Sequence, residues 1–224
     1  MIATGFLGVL AGTILWLDRV YLFQLMLSRP IIMGPIIAFI MGDVKIGLLV
    51  GASMELLWLY APPVGSYLPN DESFCTAAAV PVAFMAGSSI DHTAAAGLSI
   101  LLCLPVSLAG RSLDMRIRTL NEGLIPIGGE VLERDIKSSL RKAVVRAFVL
   151  AFLVLSACVI VIGMLASLIK PLFNGAVLNA LSYMPFFCVV IGLAAIVSKE
   201  MPRKIHTGMF VLGMAIVLLL TWIL

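Results

Sequence analysis

The chain has 224 residues, of which 62% are hydrophobic and 12% are charged, and its mean hydropathy is +1.14. Because an ordinary soluble domain has about 25% charged residues, this composition excludes that class and indicates an integral membrane protein. The net charge is only +3 and aromatic residues do not interleave with basic ones, so the implied partner is the lipid bilayer and no nucleic acid is expected.

The N-terminal membrane region, residues 1–110, contains apolar segments that are individually short. In chain order they cover residues 4–17, 31–41, 44–60, 73–88 and 94–110. A helix needs about 20 residues to cross the hydrocarbon core, so several of these segments fall short of a full span. The chain is also rich in glycine and proline, which suits broken or closely packed helices. We therefore predict an all-α, polytopic helical bundle with broken or re-entrant helices.

A polar cluster separates the first two apolar segments. It begins at Asp18 and Arg19 and runs through Gln24 to Arg29. A solvated turn would explain these residues, and so would one wall of a binding site.

Asp43 lies between the second and third apolar segments, just ahead of Val44 and Lys45. An aspartate at the start of a helix accepts a hydrogen bond from an unpaired backbone N–H group. We therefore predict that Asp43 caps a helix and takes no part in binding.

Glu55 lies inside the third apolar segment, where a charge at the centre of a membrane helix costs about 2.5 to 3.5 kcal/mol. Gly47 and Gly51 precede it at intervals of four residues, so all three share one helix face, and the glycines allow another helix to approach closely. Glu55 is thus predicted to point into the bundle. Two roles stay open: an ion pair with Arg19 or Arg29, or contact with a ligand or gate.

Residues 61–72 interrupt the apolar pattern with three prolines and end in Asn70, Asp71 and Glu72. Proline breaks a helix, and irregular backbone at membrane depth is tolerated only where it is buried in protein or lines a wet cavity. Short apolar segments around such a break indicate a transporter binding site that is built from discontinuous helices.

The middle of the chain, residues 111–146, is predicted to be a cytoplasmic loop. It contains eight of the fifteen Lys and Arg residues, and short basic loops stay on the cytoplasmic side. Leu132, Ile136 and Leu140 recur every four residues, which indicates an amphipathic helix. That helix could lie at the membrane interface or extend the span that follows.

The C-terminal region, residues 147–224, is predicted to form three transmembrane helices. They cover residues 147–169, 176–198 and 207–224. Crossing out through the first and back through the second places Lys199 in the cytoplasm, in agreement with the positive-inside rule.

The four cysteines and two histidines give no sign of a metal, cofactor or catalytic site. The cysteines stand singly within apolar segments, without metal-ligand spacing, and are predicted to be small core residues. His92 is predicted near a membrane edge and His206 lies beside a basic cluster, and neither has the neighbours of a nucleophile.

The order of several motifs resembles the membrane subunit IIC of mannose/sorbose-type sugar phosphotransferase systems. The motifs are, in order, Arg29-Pro30 with Gly34-Pro35, Gly42-Asp43 with Lys45 and Gly47, Gly51 to Trp58 including Glu55, Val64-Gly65, and Pro69-Asn70-Asp71. Further on, Pro185, Gly192 and Ala194 ahead of Lys199 resemble the family's C-terminal region, as do Leu212 and Gly213.

The resemblance implies a sugar-translocating subunit in a bacterial inner membrane, without a cofactor. It implies an oligomer that works with a IID-type membrane subunit and with soluble IIA and IIB phosphocarriers, the phosphorylated histidine being on IIB and not on this chain. The substrate would be a hexose or amino sugar. The side chains implied to contact it are Gln24, Glu55, Asn70 and Asp71.

Two other functions stay open at this point. A membrane scaffold or regulator derived from such a subunit would dock soluble phosphocarriers on residues 111–146 without transporting sugar. An ion-coupled secondary transporter is the other, because an intramembrane glutamate can also carry a proton.

Overall fold

In the computed structural model, residues 2–59, 68–124 and 133–200 are described, together with eight positions between 205 and 215. Every regular element in these residues is helical, as predicted. The helices are α1 (Ile2–Leu17), α2 (Pro30–Met41), α3 (Val44–Trp58), α4 (Glu72–Gly87), α5 (His92–Cys103), α6 (Val106–Glu122), α7 (Glu133–Ile169), α8 (Gly175–Ser182) and α9 (Met184–Glu200). A 3₁₀ turn, Lys170–Leu172, follows α7.

Helices α2 and α3 form a closely packed hairpin. Gly42 closes its turn with a φ of 95°, a left-handed conformation that glycine adopts without strain. A Cβ atom added to Gly47 would overlap the backbone of Gly34, and one added to Gly51 would overlap the carbonyl oxygen of Pro30. The close helix approach predicted from Gly47 and Gly51 is therefore confirmed, and α2 is the helix that approaches.

Helix α4 lies at the centre of the bundle, in contact with α1, α2, α3, α5, α6 and α7. Phe74 is fully buried and packs edge-on against Trp16 of α1, with ring centroids 5.6 Å apart. Three of the four free cysteines, Cys75, Cys103 and Cys188, are buried in the core, as predicted.

Two of the apolar segments contain a break in the helix. Residues 94–110 form most of α5 and the start of α6, which meet at a 47° bend next to Pro105. Residues 176–198 form α8 and α9, which separate at Tyr183, two residues ahead of Pro185. A proline lies at each break and lacks the N–H group that a continuous helix requires.

Helix α7 has 37 residues and is about 55 Å long at 1.5 Å per residue, well beyond the thickness of a bilayer core. The basic segment is therefore mostly helical: residues 111–122 belong to α6, and residues 133–146 extend the span at 147–169. Of the described residues, Glu133–Leu172 and Gly175–Ser198 are long and apolar enough to cross a membrane, and the bent pair α5–α6 could be a third span. Most of the predicted span 207–224 lies outside the described residues.

Candidate functional site

Polar side chains gather where α1 ends, α2 begins, α3 ends and α4 begins. Residues 18–29 link α1 to α2 and supply two arginines to this region. Asp18 holds the link in shape, because its carboxylate accepts hydrogen bonds from the N–H groups of Leu25 (3.1 Å) and Leu27 (2.9 Å). Gln24 and Met26 adopt left-handed backbone conformations, with φ values of 56° and 63°.

Glu55 points toward the N-terminal end of α2. Its carboxylate lies 3.4 Å from the guanidinium of Arg29 and accepts a 3.4 Å hydrogen bond from the backbone N–H of Ile31. The start of a helix carries a partial positive charge, so the helix end and the Arg29 guanidinium both attract the Glu55 carboxylate. The structure therefore pairs Glu55 with Arg29, one of the two arginines that the sequence offered.

Arg29 lies between two carboxylates. The same guanidinium nitrogen that contacts Glu55 lies 3.2 Å from the carboxylate of Glu72, the first residue of α4. The Arg29 side chain is 46% exposed, whereas Glu55 is 12% and Glu72 is 22% exposed. These three residues, the Arg29 cluster, thus join the α2–α3 hairpin to α4 and contain two acidic groups and one basic group.

Asp71 precedes Glu72 but faces a different set of partners. Its carboxylate caps α4 by accepting from the N–H of Phe74 (2.9 Å), accepts from the indole N–H of Trp16 (2.8 Å), and pairs with Arg19 (2.7 Å). The Asp71 side chain is fully buried. We name Trp16, Arg19 and Asp71 the Arg19 cluster, and its carboxylate oxygens are already occupied by donors from the protein.

The other two predicted site residues lie nearer the surface. Gln24 is exposed, and its amide donates a 3.4 Å hydrogen bond to the carbonyl oxygen of Val20, within the link. Asn70 is half-buried and directly precedes Asp71. The structure therefore places Glu55, Asn70 and Asp71 around the start of α4, with Gln24 on the neighbouring link.

Helix α6 supports the same region through residues that sequence reasoning missed. Asp114 is buried and pairs with Arg118 at 3.0 Å, and it accepts a 3.5 Å hydrogen bond from the hydroxyl of Tyr21. Burial and the negative charge of Asp114 raise the pKa of Tyr21 to about 12, so the phenol stays protonated. The spacing of Asp114 and Arg118, four residues apart on one helix, was the available signal.

The predicted cap at Asp43 is confirmed, at the opposite end of the α2–α3 hairpin. Its carboxylate accepts a 3.4 Å hydrogen bond from the N–H of Ile46. It also lies 3.0 Å from Nδ1 of His92, the half-exposed first residue of α5. His206 and residues 60–67, which include most of the predicted break, lie outside the described residues.

Sequence comparison identifies a family and a relative to which the chain is similar. Residues 2–224 match the family described as "PTS system sorbose-specific iic component". The chain is also 28% identical, over 83 residues, to the Escherichia coli (strain K12) protein named "Putative N-acetylgalactosamine permease IIC component 2". That alignment covers 37% of this chain and 60% of the relative's length.

A solved structure shares the fold of this chain. A structure titled "Structure of membrane protein" superposes with a TM-score of 0.60 at 19% identity, covering 96% of this chain and 86% of the other. A complex of the mannose transporter ManYZ with microcin E492 gives a TM-score of 0.47 at 18% identity, with the same coverage. Because the family match extends over residues 2–224, the protein belongs to the sorbose-specific IIC component family of phosphotransferase systems.

Proposed function

We propose that this chain is the sugar-translocating subunit IIC of a phosphoenolpyruvate-dependent phosphotransferase system. It spans a bacterial inner membrane with residues 111–146 on the cytoplasmic side, as their basic charge favours. Its partners are a IID-type membrane subunit and soluble IIA and IIB phosphocarriers, and the phosphorylated residue is on a soluble subunit. Family membership supports this proposal.

The Arg29 cluster is the observation that supports a sugar site in this chain. Sugar hydroxyl groups both donate and accept hydrogen bonds, so a carboxylate beside a guanidinium can satisfy a hydroxyl pair. Arg29 is half-exposed between Glu55 and Glu72, and Asn70 adds an amide one residue before Asp71. The substrate is a hexose or amino sugar, because the two acidic groups of the cluster also suit a protonated amine.

In this proposal the predicted site residues have two roles. Glu55 and Asn70 contact the sugar, and Gln24 contacts it from the link. Asp71 is a positioning residue, because its oxygens are occupied by Phe74, Trp16 and Arg19 and its side chain is fully buried. It fixes the start of α4, from which Glu72 reaches Arg29.

Sugar entry opens the contact between the α2–α3 hairpin and α4. The Glu55 carboxylate is only 12% exposed, so a hydroxyl group reaches it when Arg29 moves away from Glu55 or Glu72. When contacts with a sugar hydroxyl replace these ion pairs, the α2–α3 hairpin can move relative to α4. Sugar binding is thereby coupled to this motion. Such rocking of one unit against another is the usual basis of alternating access.

The test is radiolabelled sugar uptake coupled to phosphorylation, in vesicles that carry all the system's subunits. We expect Glu55→Gln to lower apparent sugar affinity by about 10- to 100-fold, the effect of losing one charge-assisted hydrogen bond. Glu122→Gln is the matched control, because Glu122 is an exposed carboxylate at the end of α6, and it should leave uptake unchanged.

Three outcomes would contradict the proposal. Normal uptake by Glu55→Gln would remove Glu55 from the sugar site. Uptake that follows the proton gradient and needs no phosphoenolpyruvate would indicate an ion-coupled transporter. Binding of the phosphocarriers without any sugar uptake by the complete system would indicate a scaffold.

A further inference from the structure

We infer that the groove between the end of α6 and the start of α7 binds the headgroup of an anionic phospholipid from the surrounding bilayer. The groove has a volume of about 550 Å³. Its walls combine basic side chains, Arg141, Lys142 and Arg146, with apolar ones that include Leu120, Val145 and Val149. This site is separate from the Arg29 cluster, and the inference does not depend on the proposed function.

Two of the three basic side chains in the groove have no acidic partner among the described residues. Arg141 and Lys142 are exposed, and neither forms an ion pair with a carboxylate among the described residues. None of the groove-lining residues is acidic. Two adjacent cations without a counter-ion attract an anion, and a guanidinium matches the oxygens of a phosphate in particular.

Arg146 forms part of the groove wall, and its guanidinium is engaged in hydrogen bonds with α6. Its guanidinium donates hydrogen bonds to the carbonyl oxygen of Leu120 and, at 3.5 Å, to the amide oxygen of Asn121. It thereby ties the last turn of α6 to α7 and neutralises carbonyl groups that would otherwise repel an anion. Leu120 is consequently held as one apolar wall facing α7.

The apolar part of the groove indicates a lipid and not a soluble protein. Residues 147–169 of α7 carry no charge, so Arg146 is the last basic residue before the membrane-spanning part. Val145, Val149 and Leu153 repeat every four residues on an exposed strip of α7 that continues from the groove into this uncharged part. A phosphate beside Arg141 and Lys142 would therefore have its acyl chain directed along this strip, as in basic interfacial pockets of membrane proteins.

The experiment is native mass spectrometry of the full chain in a non-ionic detergent, titrated with phosphatidylglycerol or with phosphatidylcholine of the same acyl chains. We expect phosphatidylglycerol to bind preferentially. The double variant Arg141→Gln/Lys142→Gln should weaken that binding by about 10- to 30-fold, since each basic residue contributes about 1 kcal/mol near an anionic surface.

Three controls separate the site from general charge effects. Arg134→Gln/Lys137→Gln removes two charges from the same helix but outside the groove, and should change binding by less than about threefold. Arg141→Lys/Lys142→Arg keeps both charges and should retain binding. Inorganic phosphate at equal concentration should not compete, because it lacks the acyl chain.

The inference fails if phosphatidylcholine binds as tightly as phosphatidylglycerol, or if the control variant loses as much binding as the groove variant. It also fails if inorganic phosphate displaces the lipid. It fails as well if the Arg141→Gln/Lys142→Gln variant binds phosphatidylglycerol as tightly as the unchanged chain. Circular dichroism of each variant verifies that the helices are intact.

Discussion

Asp71 and Glu72 are neighbours in the sequence but belong to clusters of opposite character. Asp71 is fully buried in the Arg19 cluster, whereas Glu72 and its partner Arg29 remain partly exposed. Both arginines come from the same 18–29 link. At the start of α4, adjacent residues therefore form two different ion pairs. The buried pair of Asp71 with Arg19 stabilises the bundle, whereas the partly exposed pair of Glu72 with Arg29 can exchange partners with a ligand.

The two clusters differ in energetics because their charged groups differ in access to solvent. A buried charge that loses its partner cannot recover hydration, whereas an exposed one can, so breaking a buried pair costs several times more. The Arg19 cluster is thus expected to behave as part of the core. The Arg29 cluster can change its contacts at little cost, which is what a binding site requires.

Replacing Asp71 should have the largest effect on stability. Asp71→Ala removes the cap of α4, leaves the indole N–H of Trp16 without its acceptor and leaves Arg19 without its anion. We expect the free energy of unfolding to fall by about 3 to 5 kcal/mol. Denaturant titration of the detergent-solubilised chain, followed by tryptophan fluorescence, measures it.

Asp71→Asn is the companion variant, because its amide oxygen can still accept from the N–H of Phe74, whereas its NH2 group cannot accept from Trp16 or pair with Arg19. Its cost should lie below that of Asp71→Ala. If Asp71→Ala changes the free energy of unfolding by less than about 1 kcal/mol, the Arg19 cluster does not stabilise the core. The two clusters would then not differ in their contribution to stability.

The same substitution, arginine to glutamine, can be made in each cluster, at Arg19 and at Arg29. Arg19→Gln leaves a fully buried carboxylate without its cation, so we expect a loss of about 2 to 3 kcal/mol, discounted because Arg19 is itself partly exposed. Arg29→Gln removes a half-exposed cation from two partly exposed carboxylates, and should cost about 1 kcal/mol or less. Denaturant titration of both variants under one set of conditions measures the difference, and equal losses would show that exposure does not distinguish the clusters.

Most helix positions could be predicted from the sequence, because apolar runs have sharp ends. Helices α1 to α4 begin and end within two residues of the predicted segments. The breaks between α5 and α6 and between α8 and α9 could not be located by the apolar pattern, since the residues on both sides are apolar. Pro105 and Pro185 were the only local signals.

The candidate site was predictable only in part. The direction of Glu55 followed from its spacing to Gly47 and Gly51, a property of one helix. The enclosure of Asp71 depends on Trp16 and on Arg19, which come from another helix and its link, so no local pattern reveals it. Glu72 follows Asn70 and Asp71 in a polar run, so the sequence alone does not show that it starts α4 and reaches Arg29.

Asp43 is a reference for the stability effects at Asp71, because it also caps a helix. It lies at the far end of the α2–α3 hairpin, and its partner His92 is half-exposed. Asp43→Ala should lower the free energy of unfolding by about 1 kcal/mol, because the N–H of Ile46 loses its acceptor. Asp43→Ser keeps a capping oxygen but loses the contact with His92, and should cost only a few tenths of a kcal/mol. Denaturant titration of both variants beside the Asp71 variants measures the ranking. A serine variant as unstable as the alanine variant would mean that His92, and not the N–H group of Ile46, is the important partner of Asp43.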